Sequence, residues 1–305
     1  MGAYIVRRIL HAVLVVVGVS IVIFAISRLS GDPVSLMVPF DVPQEQRQAI
    51  RTELGLDRPL PVQYFDFIAH ALQGDFGMSV RNRVPALRLV LERIPATLEL
   101  TAVALAFAVL VAIPLGMLSA LNHNSMWDVI GMTVTFLGQS VPSFWLGILL
   151  ILLLGVNLRW LPISGSGTPW HLIMPGITLG SFFLASLARL TRSSLLEVLG
   201  QDYVRTARAK GLAELVVIGL HALKNAAIPV VTAIGVYVGQ LLSGAVITEQ
   251  IFAYPGVGRL AIDAISTRDF PVVQANVIFV SVVVVLLSFV VDMLYLALDP
   301  RIRYT

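Results

Sequence analysis

The sequence contains no cysteine, only two lysines and little charge of either sign. The absence of cysteine excludes disulfides, thiolate metal sites and cysteine nucleophiles, and it leaves the redox compartment undecided. Charged residues make up 13% of the 305 residues and hydrophobic ones 57%, a balance that ordinary soluble domains do not show. The composition therefore predicts a polytopic membrane protein.

The motifs of nucleotide binding and of hydrolytic catalysis are also missing. A phosphate-binding loop ends in lysine followed by serine or threonine, and neither Lys210 nor Lys224 is followed by either residue. HExxH, GxSxG and paired catalytic carboxylates are absent, and the five histidines are scattered without the spacing of metal ligands. We therefore expect no catalytic residue, metal site or cofactor in this chain, and its spread-out basic residues predict no nucleic-acid partner.

Long apolar runs are what the sequence has instead. They predict an all-α fold with six transmembrane helices in one domain, residues 1–305. Arg7 and Arg8 precede the first run, which favours a cytoplasmic amino terminus and a retained signal-anchor. Six crossings return the carboxyl terminus, with Arg301 and Arg303, to the same side. The predicted crossings are residues 9–29, 96–121, 129–155, 172–191, 226–248 and 275–297.

Two polar segments are predicted to lie outside the membrane. Residues 30–94 are rich in charge and proline and include a short helix over residues 44–54, and Pro95 is expected to open the helix of the second crossing. Residues 249–274 alternate polar and apolar side chains and contain two prolines, so they are predicted to be an external or re-entrant element.

A polar interruption stands inside the third crossing, at Gln139, Ser140 and Ser143 around Pro142. Polar groups at this depth face protein or water rather than lipid, so these residues line a pathway or pack against another helix. On the fifth crossing, Tyr237 and Gln240 are the other pathway candidates. Small residues four apart, such as Gly176 and Gly180, predict close helix contacts.

The cytoplasmic segment 201–225 is polar and basic and lies between two apolar runs. Its first half predicts a short helix ended by Gly211, and its second half predicts a polar turn, His221–Asn225. The segment is either a solvated loop with positive-inside charge or a docking element for a soluble partner.

The sequence DYVRTARAKGL, followed by HALKNAAIP, resembles the cytoplasmic signature of ABC-importer permeases of the peptide/nickel subfamily. In this register Arg205, Thr206 and Ala207 take the place of Glu-Ala-Ala, Gly211 that of the glycine and Leu223 that of the final leucine. Arg205 replaces the acidic residue and Lys224 the proline, as is typical of that subfamily. The phrases GLDRPLPVQY, GDFG, IFAYPGVGRLA and RDFPVVQ resemble the same subfamily.

The resemblance implies the permease fold of type I ABC importers, in a bacterial inner membrane, with a cytoplasmic coupling helix. Its implied partners are a second permease, two ABC ATPases that hold ATP and Mg²⁺, and an extracytoplasmic solute-binding protein. The implied cargo is a short peptide, with nickel or a metal chelate as the alternative. The implied coupling residues are Asp202, Tyr203, Arg205, Thr206, Ala207, Arg208, Lys210, Gly211 and Leu212.

A secondary transporter or channel is the rival from another class. Such proteins keep ionisable groups in mid-membrane, and the sequence brings only Asp292 near a predicted crossing.

Overall fold

The computed structural model describes residues 2–29, 43–53 and 55–298, and the regular structure in these ranges is helical. Predictions on residues 30–42, on Leu54 and on Arg301 and Arg303 lie outside the described residues. The helices are α1 (Gly2–Leu29), α2 (Gln44–Glu53), α3 (Leu60–Ala71), α4 (Ala86–Leu121), α5 (Met126–Ser140), α6 (Ser143–Leu150), α7 (Trp170–Leu199), α8 (Asp202–Ala209), α9 (Glu214–Val216), α10 (Leu223–Ile251), α11 (Val257–Ser266) and α12 (Phe270–Leu298). A π-helix, Ile151–Asn157, follows α6, and another, Val217–Ala222, joins α9 to α10.

Among the described residues, five helical stretches are long and apolar enough to cross a bilayer. A sixth crossing is formed only if α5 and the stretch Ser143–Asn157 are counted together, although they are bent by 99°. The bend follows from Pro142, which has no amide hydrogen and forces Val141 into an extended backbone conformation with ψ 124°. The predicted third crossing is therefore a sharply bent helix pair, a broken span or a re-entrant loop, rather than a straight helix.

The prediction that Pro95 opens a helix is wrong, because α4 begins at Ala86 and Pro95 lies inside it. A proline in a helix removes one intrahelical hydrogen bond. Ala86 and Val90, both fully buried in a hydrophobic core, hold the turns before Pro95 in place. Packing thus outweighs the local proline signal.

The predicted polar turn His221–Asn225 is also helical, and helix runs without a break from Glu214 to Ile251. Its polar side chains lie on a helix whose neighbouring residues Ala222 and Ala226 are buried. The predicted external segment 249–274 likewise begins inside α10 and contains α11 and the start of α12.

The chain forms two compact units. One comprises Met1–Ala96 with Gly256–Leu286, and the other comprises Thr97–Pro255 with Leu287–Thr305. In the first unit, helix α3 packs on α1, where the Phe24 ring lies 5.5 Å from that of Tyr64 and Ser20 Oγ is 2.8 Å from the Tyr64 hydroxyl. The core of this unit lies among Ile23, Ala86, Val90, Val257, Ala264, Val272, Val273 and Ala275.

The second unit is built on α7, the most buried of the candidate spans. As predicted, its glycines admit a close neighbour: a Cβ on Gly176 would lie 2.7 Å from Val103 Cγ1, and one on Gly180 would lie 2.5 Å from the Ala104 carbonyl oxygen. These distances are too short for any side chain, so α4 and α7 pack backbone to backbone.

Candidate functional site

Helix α8 has one buried face and one exposed face. Val204 is fully buried and Ala207 nearly so, and both pack against Val217 and the carboxyl end of α7. The other residues of the helix are exposed, including Tyr203, Arg205 and Thr206. The helix is therefore held to its own unit by a narrow apolar stripe and presents a polar face to its surroundings.

Ala207 is the exception among the predicted coupling residues, because its side chain faces the protein rather than a partner. Its buried neighbour Val204 was missed. The signal was present in the sequence, since apolar residues three apart in an otherwise polar helix mark its inner face.

Two contacts fix the position of α8. Arg208 donates to both carboxylate oxygens of Glu214, over 2.7 and 3.2 Å, and this hydrogen-bonded pairing raises the pKa of the Arg208 guanidinium above its ordinary value. Asn225 Nδ2 donates to the Tyr203 hydroxyl over 2.8 Å. Neither partner was predicted, because each contact depends on how the chain turns after Gly211.

Gly211 ends this segment with a left-handed backbone, φ +75°. A Cβ at this position would meet no atom within 4 Å, so the requirement for glycine comes from the backbone and not from crowding. After it, Leu212 and Leu215 are exposed, with 41% and 86% of their surface accessible. The exposed face thus combines cations with apolar side chains.

Lys210 and Arg205 are the cations of this face that extend into solvent. Arg205 makes only a long pair of 3.5 Å with Asp202, and both side chains are largely exposed. Thr206 donates to the backbone carbonyl of Asp202. Of the three basic residues predicted for docking, Arg208 thus has an internal structural partner, while the other two are available.

The pathway candidates divide into two groups. Gln139 Nε2 donates to Ser186 Oγ on α7 over 3.1 Å, and the Tyr237 ring packs 4.7 Å from that of Phe183. These two side chains contact neighbouring helices. Ser140 and Gln240 are exposed, and Ser143 is half-buried at the start of α6.

A buried ionic network lies where α4, α5 and α7 meet. Asp128, 4% exposed, accepts hydrogen bonds from Arg192 Nε and Nη2 over 2.8 and 2.7 Å, from the Ser119 hydroxyl and from the Asn124 amide. His123 Nδ1 lies 3.3 Å away. The network joins three helices, and Arg192 is the member that is distant from the others in sequence.

Further acidic groups lie within the candidate spans, contrary to the expectation that only Asp292 approaches one. Glu249 is fully buried and accepts a hydrogen bond of 2.5 Å from Thr97, and Glu99 accepts one of 3.1 Å from the Tyr254 hydroxyl. Burial and the neighbouring Glu99 carboxylate raise the pKa of the Tyr254 phenol. Among the described residues no group of three or more His, Asp or Glu could hold a metal ion.

Comparison with known families gives two matches that together span most of the chain. Residues 112–304 match the binding-protein-dependent transport system inner membrane component. Residues 1–101 match the amino-terminal part of a binding-protein-dependent transport system membrane component.

The similar curated proteins match over their full lengths. The glutathione transport system permease protein GsiC of Salmonella choleraesuis is 41% identical over 302 residues, 99% of each chain. The dipeptide transport system permease protein DppB of Escherichia coli K12 is 40% identical, covering 99% of this chain and 98% of DppB. A probable peptide ABC transporter permease of Sinorhizobium fredii is 40% identical over 100% of both chains.

Similar solved structures support the fold. A chain of the MetNI methionine ABC transporter, in an inward-facing conformation, matches 69% of this chain and 96% of its own, with a TM-score of 0.57 and 17% identity. A chain of an amino acid ABC transporter matches 68% of this chain and 93% of its own, with a TM-score of 0.53 and 16% identity.

Proposed function

This chain belongs to the family of binding-protein-dependent transport system inner membrane components and is a multi-pass permease subunit of an ABC importer, and we propose that it forms half of a translocation pathway for short peptides. The observation that carries the proposal is full-length similarity at about 40% identity to permeases named for dipeptide, glutathione and peptides. Family membership removes the rival assignment to a secondary transporter or channel.

The proposed assembly contains a second permease, two ABC ATPases that bind ATP and Mg²⁺, and an external solute-binding protein. Both termini lie in the cytoplasm, and the parts of segments 30–94 and 249–274 that lie beyond the candidate spans are outside. ATP binding closes the ATPase pair and moves the permeases between inward-open and outward-open states. This chain carries out no hydrolysis of its own and transmits the movement.

Helix α8 is the proposed coupling helix, seated in a groove of one ATPase. Its exposed face offers Tyr203, Arg205, Lys210 and Leu212, while the Arg208–Glu214 pair and the Val204 contact hold it to the permease. A coupling element must keep contact with its partner in both transport states. The buried residues Val204 and Ala207 and the doubly hydrogen-bonded Arg208–Glu214 pair give α8 the rigid attachment that this transmission requires.

The proposed pathway uses the broken third crossing and α10. The helix is interrupted at Val141 and Pro142, with Ser140 and Ser143 on the two sides of the break. Gln240 lies on α10, which packs against α6. A lining with few charges suits peptides of varied side chains better than a bare ion, which needs several close oxygen or nitrogen ligands.

The test compares uptake in cells with and without this gene, using labelled dipeptides to pentapeptides, and labelled nickel with and without chelators. We expect peptide uptake to be lost on deletion and restored by the intact gene. Undiminished peptide uptake together with lost nickel uptake would exclude the peptide cargo and leave the permease assignment in place.

A further inference from the structure

Four arginines of the first unit, Arg81, Arg83, Arg93 and Arg268, form what we call the arginine patch. None of the four makes an ion pair within residues 2–29, 43–53 and 55–298. Arg81, Arg83 and Arg268 are exposed, whereas Arg93 is half-buried and lines, with Arg81, a cavity of about 250 Å³. Asp263 and Asp269 line the same cavity, but neither carboxylate forms an ion pair with these four arginines.

The first two arginines lie at the tip of a hairpin, residues 78–85. Met78 pairs with Pro85, Ser79 N donates to the Val84 carbonyl over 2.8 Å, and Arg83 N donates back to the Ser79 carbonyl over 2.9 Å. Arg83 has φ +56°. A left-handed conformation costs a non-glycine residue about 1 kcal/mol, so the surrounding bonds impose the hairpin's shape on it.

Asp269 fixes this hairpin from a distant part of the sequence. Its carboxylate, 3% exposed, accepts a hydrogen bond of 2.5 Å from Ser79 Oγ and one of 3.2 Å from the Val80 amide. Arg268, the residue before it, is itself left-handed at φ +55°. One buried carboxylate thus sets the positions of Arg81, Arg83 and Arg268 together.

Unpaired guanidinium groups carried on a fixed backbone are suited to carboxylates held at fixed positions. Guanidinium groups bind carboxylates through two parallel hydrogen bonds, and this interaction is strongest in a defined geometry. A fluid layer of lipid headgroups offers no fixed geometry. Holding the hairpin in a strained conformation would therefore not strengthen binding to lipid. The family name states that transport depends on a binding protein, so a protein partner is available for a docking surface of this kind.

We propose that the arginine patch docks an acidic surface of the solute-binding protein of this system, with Asp269 as the positioning residue. The inference rests on the proposed function, because it requires this unit to face the outside. Exposed charges of this kind speed the encounter and set its orientation, and their effect falls as salt screens them.

The experiment uses the complete transporter in liposomes, with the purified binding protein loaded with trialanine. The measured quantity is the binding-protein concentration that half-maximally stimulates ATP hydrolysis. Replacing Arg81, Arg83 and Arg268 together by glutamine is expected to raise this concentration about tenfold. It should also flatten the dependence on salt between about 50 and 300 mM.

The matched control removes two arginines of the same unit that already have partners. Arg58→Gln and Arg88→Gln break pairs with Asp66 and Glu92, so the double variant is expected to leave the half-maximal concentration unchanged. An equal effect in this control would show that only total charge matters and would overturn the patch.

A second variant separates positioning from charge. Asp269→Asn makes the region more positive, so a purely electrostatic patch would bind an acidic partner more tightly. If Asp269 positions the hairpin, the variant weakens binding instead, and Ser79→Ala, which loses the 2.5 Å bond without a change of charge, weakens it too.

The outcomes that overturn the inference differ from failure of the proposed function. Unchanged half-maximal stimulation in the triple glutamine variant refutes the docking patch. So does unstimulated hydrolysis that changes with anionic lipid content in the wild type but not in the triple variant, because the patch would then contact the membrane. The proposed function fails if the wild-type complex shows no stimulation by the binding protein at all.

Discussion

At the scale of single residues, Gly211 has a backbone conformation that favours glycine. Its φ of +75° with no neighbouring atom means that substitution strains the backbone alone. We expect Gly211→Ala to cost about 1 kcal/mol, and Gly211→Val more, because a branched Cβ is least compatible with this conformation. Co-purification with the ATPases and ATP-driven uptake should therefore fall more for valine than for alanine.

Gly200 provides the control for this comparison, because it lies at the end of α7 with an ordinary right-handed backbone, φ −78°. Gly200→Ala is expected to leave assembly and uptake close to normal. If Gly211→Val retained bound ATPases and full transport, the assignment of α8 as the coupling helix would be wrong.

Asp128 and Arg192 give a second prediction at this scale. Removing the arginine leaves a buried carboxylate without its main partner, so Arg192→Gln is expected to destabilise the protein by about 3–5 kcal/mol. Adding Asp128→Asn should recover part of the loss, because the unpaired charge is gone. Thermal unfolding of the purified protein measures both, and equal stability of the single and double variants would contradict the coupling.

At the scale of elements, the bent pair α5–α6 allows a test of whether Gln139 has a structural role or lines the pathway. Its amide bonds to Ser186, so a purely structural role predicts that Gln139→Leu and Ser186→Ala have the same effect on uptake and on stability. A pathway role predicts lost uptake with normal assembly in Gln139→Leu, with a milder effect in Ser186→Ala.

Ser140 and Ser143 complete that test, because neither side chain bonds to another helix among the described contacts. Alanine at both positions should lower peptide uptake without lowering the melting temperature if the interruption lines the pathway. Uptake that stays at the wild-type level in all of these variants would remove the interruption from the pathway.

Some helices could be predicted from the sequence, whereas the contacts between them could not. The apolar runs and the helix before Gly211 were predictable, because bilayer length and backbone conformation are local properties. The start of α4 was not, since Ala86 and Val90 are buried by residues far along the chain. The same holds for the pairs Arg208–Glu214, Asp128–Arg192 and Ser79–Asp269, which depend on the folded arrangement.

At the scale of the whole molecule, the proposed topology predicts which segments a thiol reagent can reach from each side of the membrane. The native chain has no cysteine, so a single introduced cysteine reports without background. Ser266 and Gln201 are both exposed, one in α11 and the other just before α8. Gln63 is unsuitable, although it lies in the predicted external segment, because it is 8% exposed and its amide binds the carbonyls of Leu56 and Arg58.

We expect Ser266→Cys to react in intact cells with a thiol reagent that cannot cross the membrane. Gln201→Cys should react only after the membrane is opened, because the arginine pair near the amino terminus and the coupling segment are proposed to be cytoplasmic. Both substitutions are small and lie on exposed surface, so the protein should remain active. Labelling of Gln201→Cys but not Ser266→Cys in intact cells would invert the topology, and it would place α8 where no ATPase could reach it.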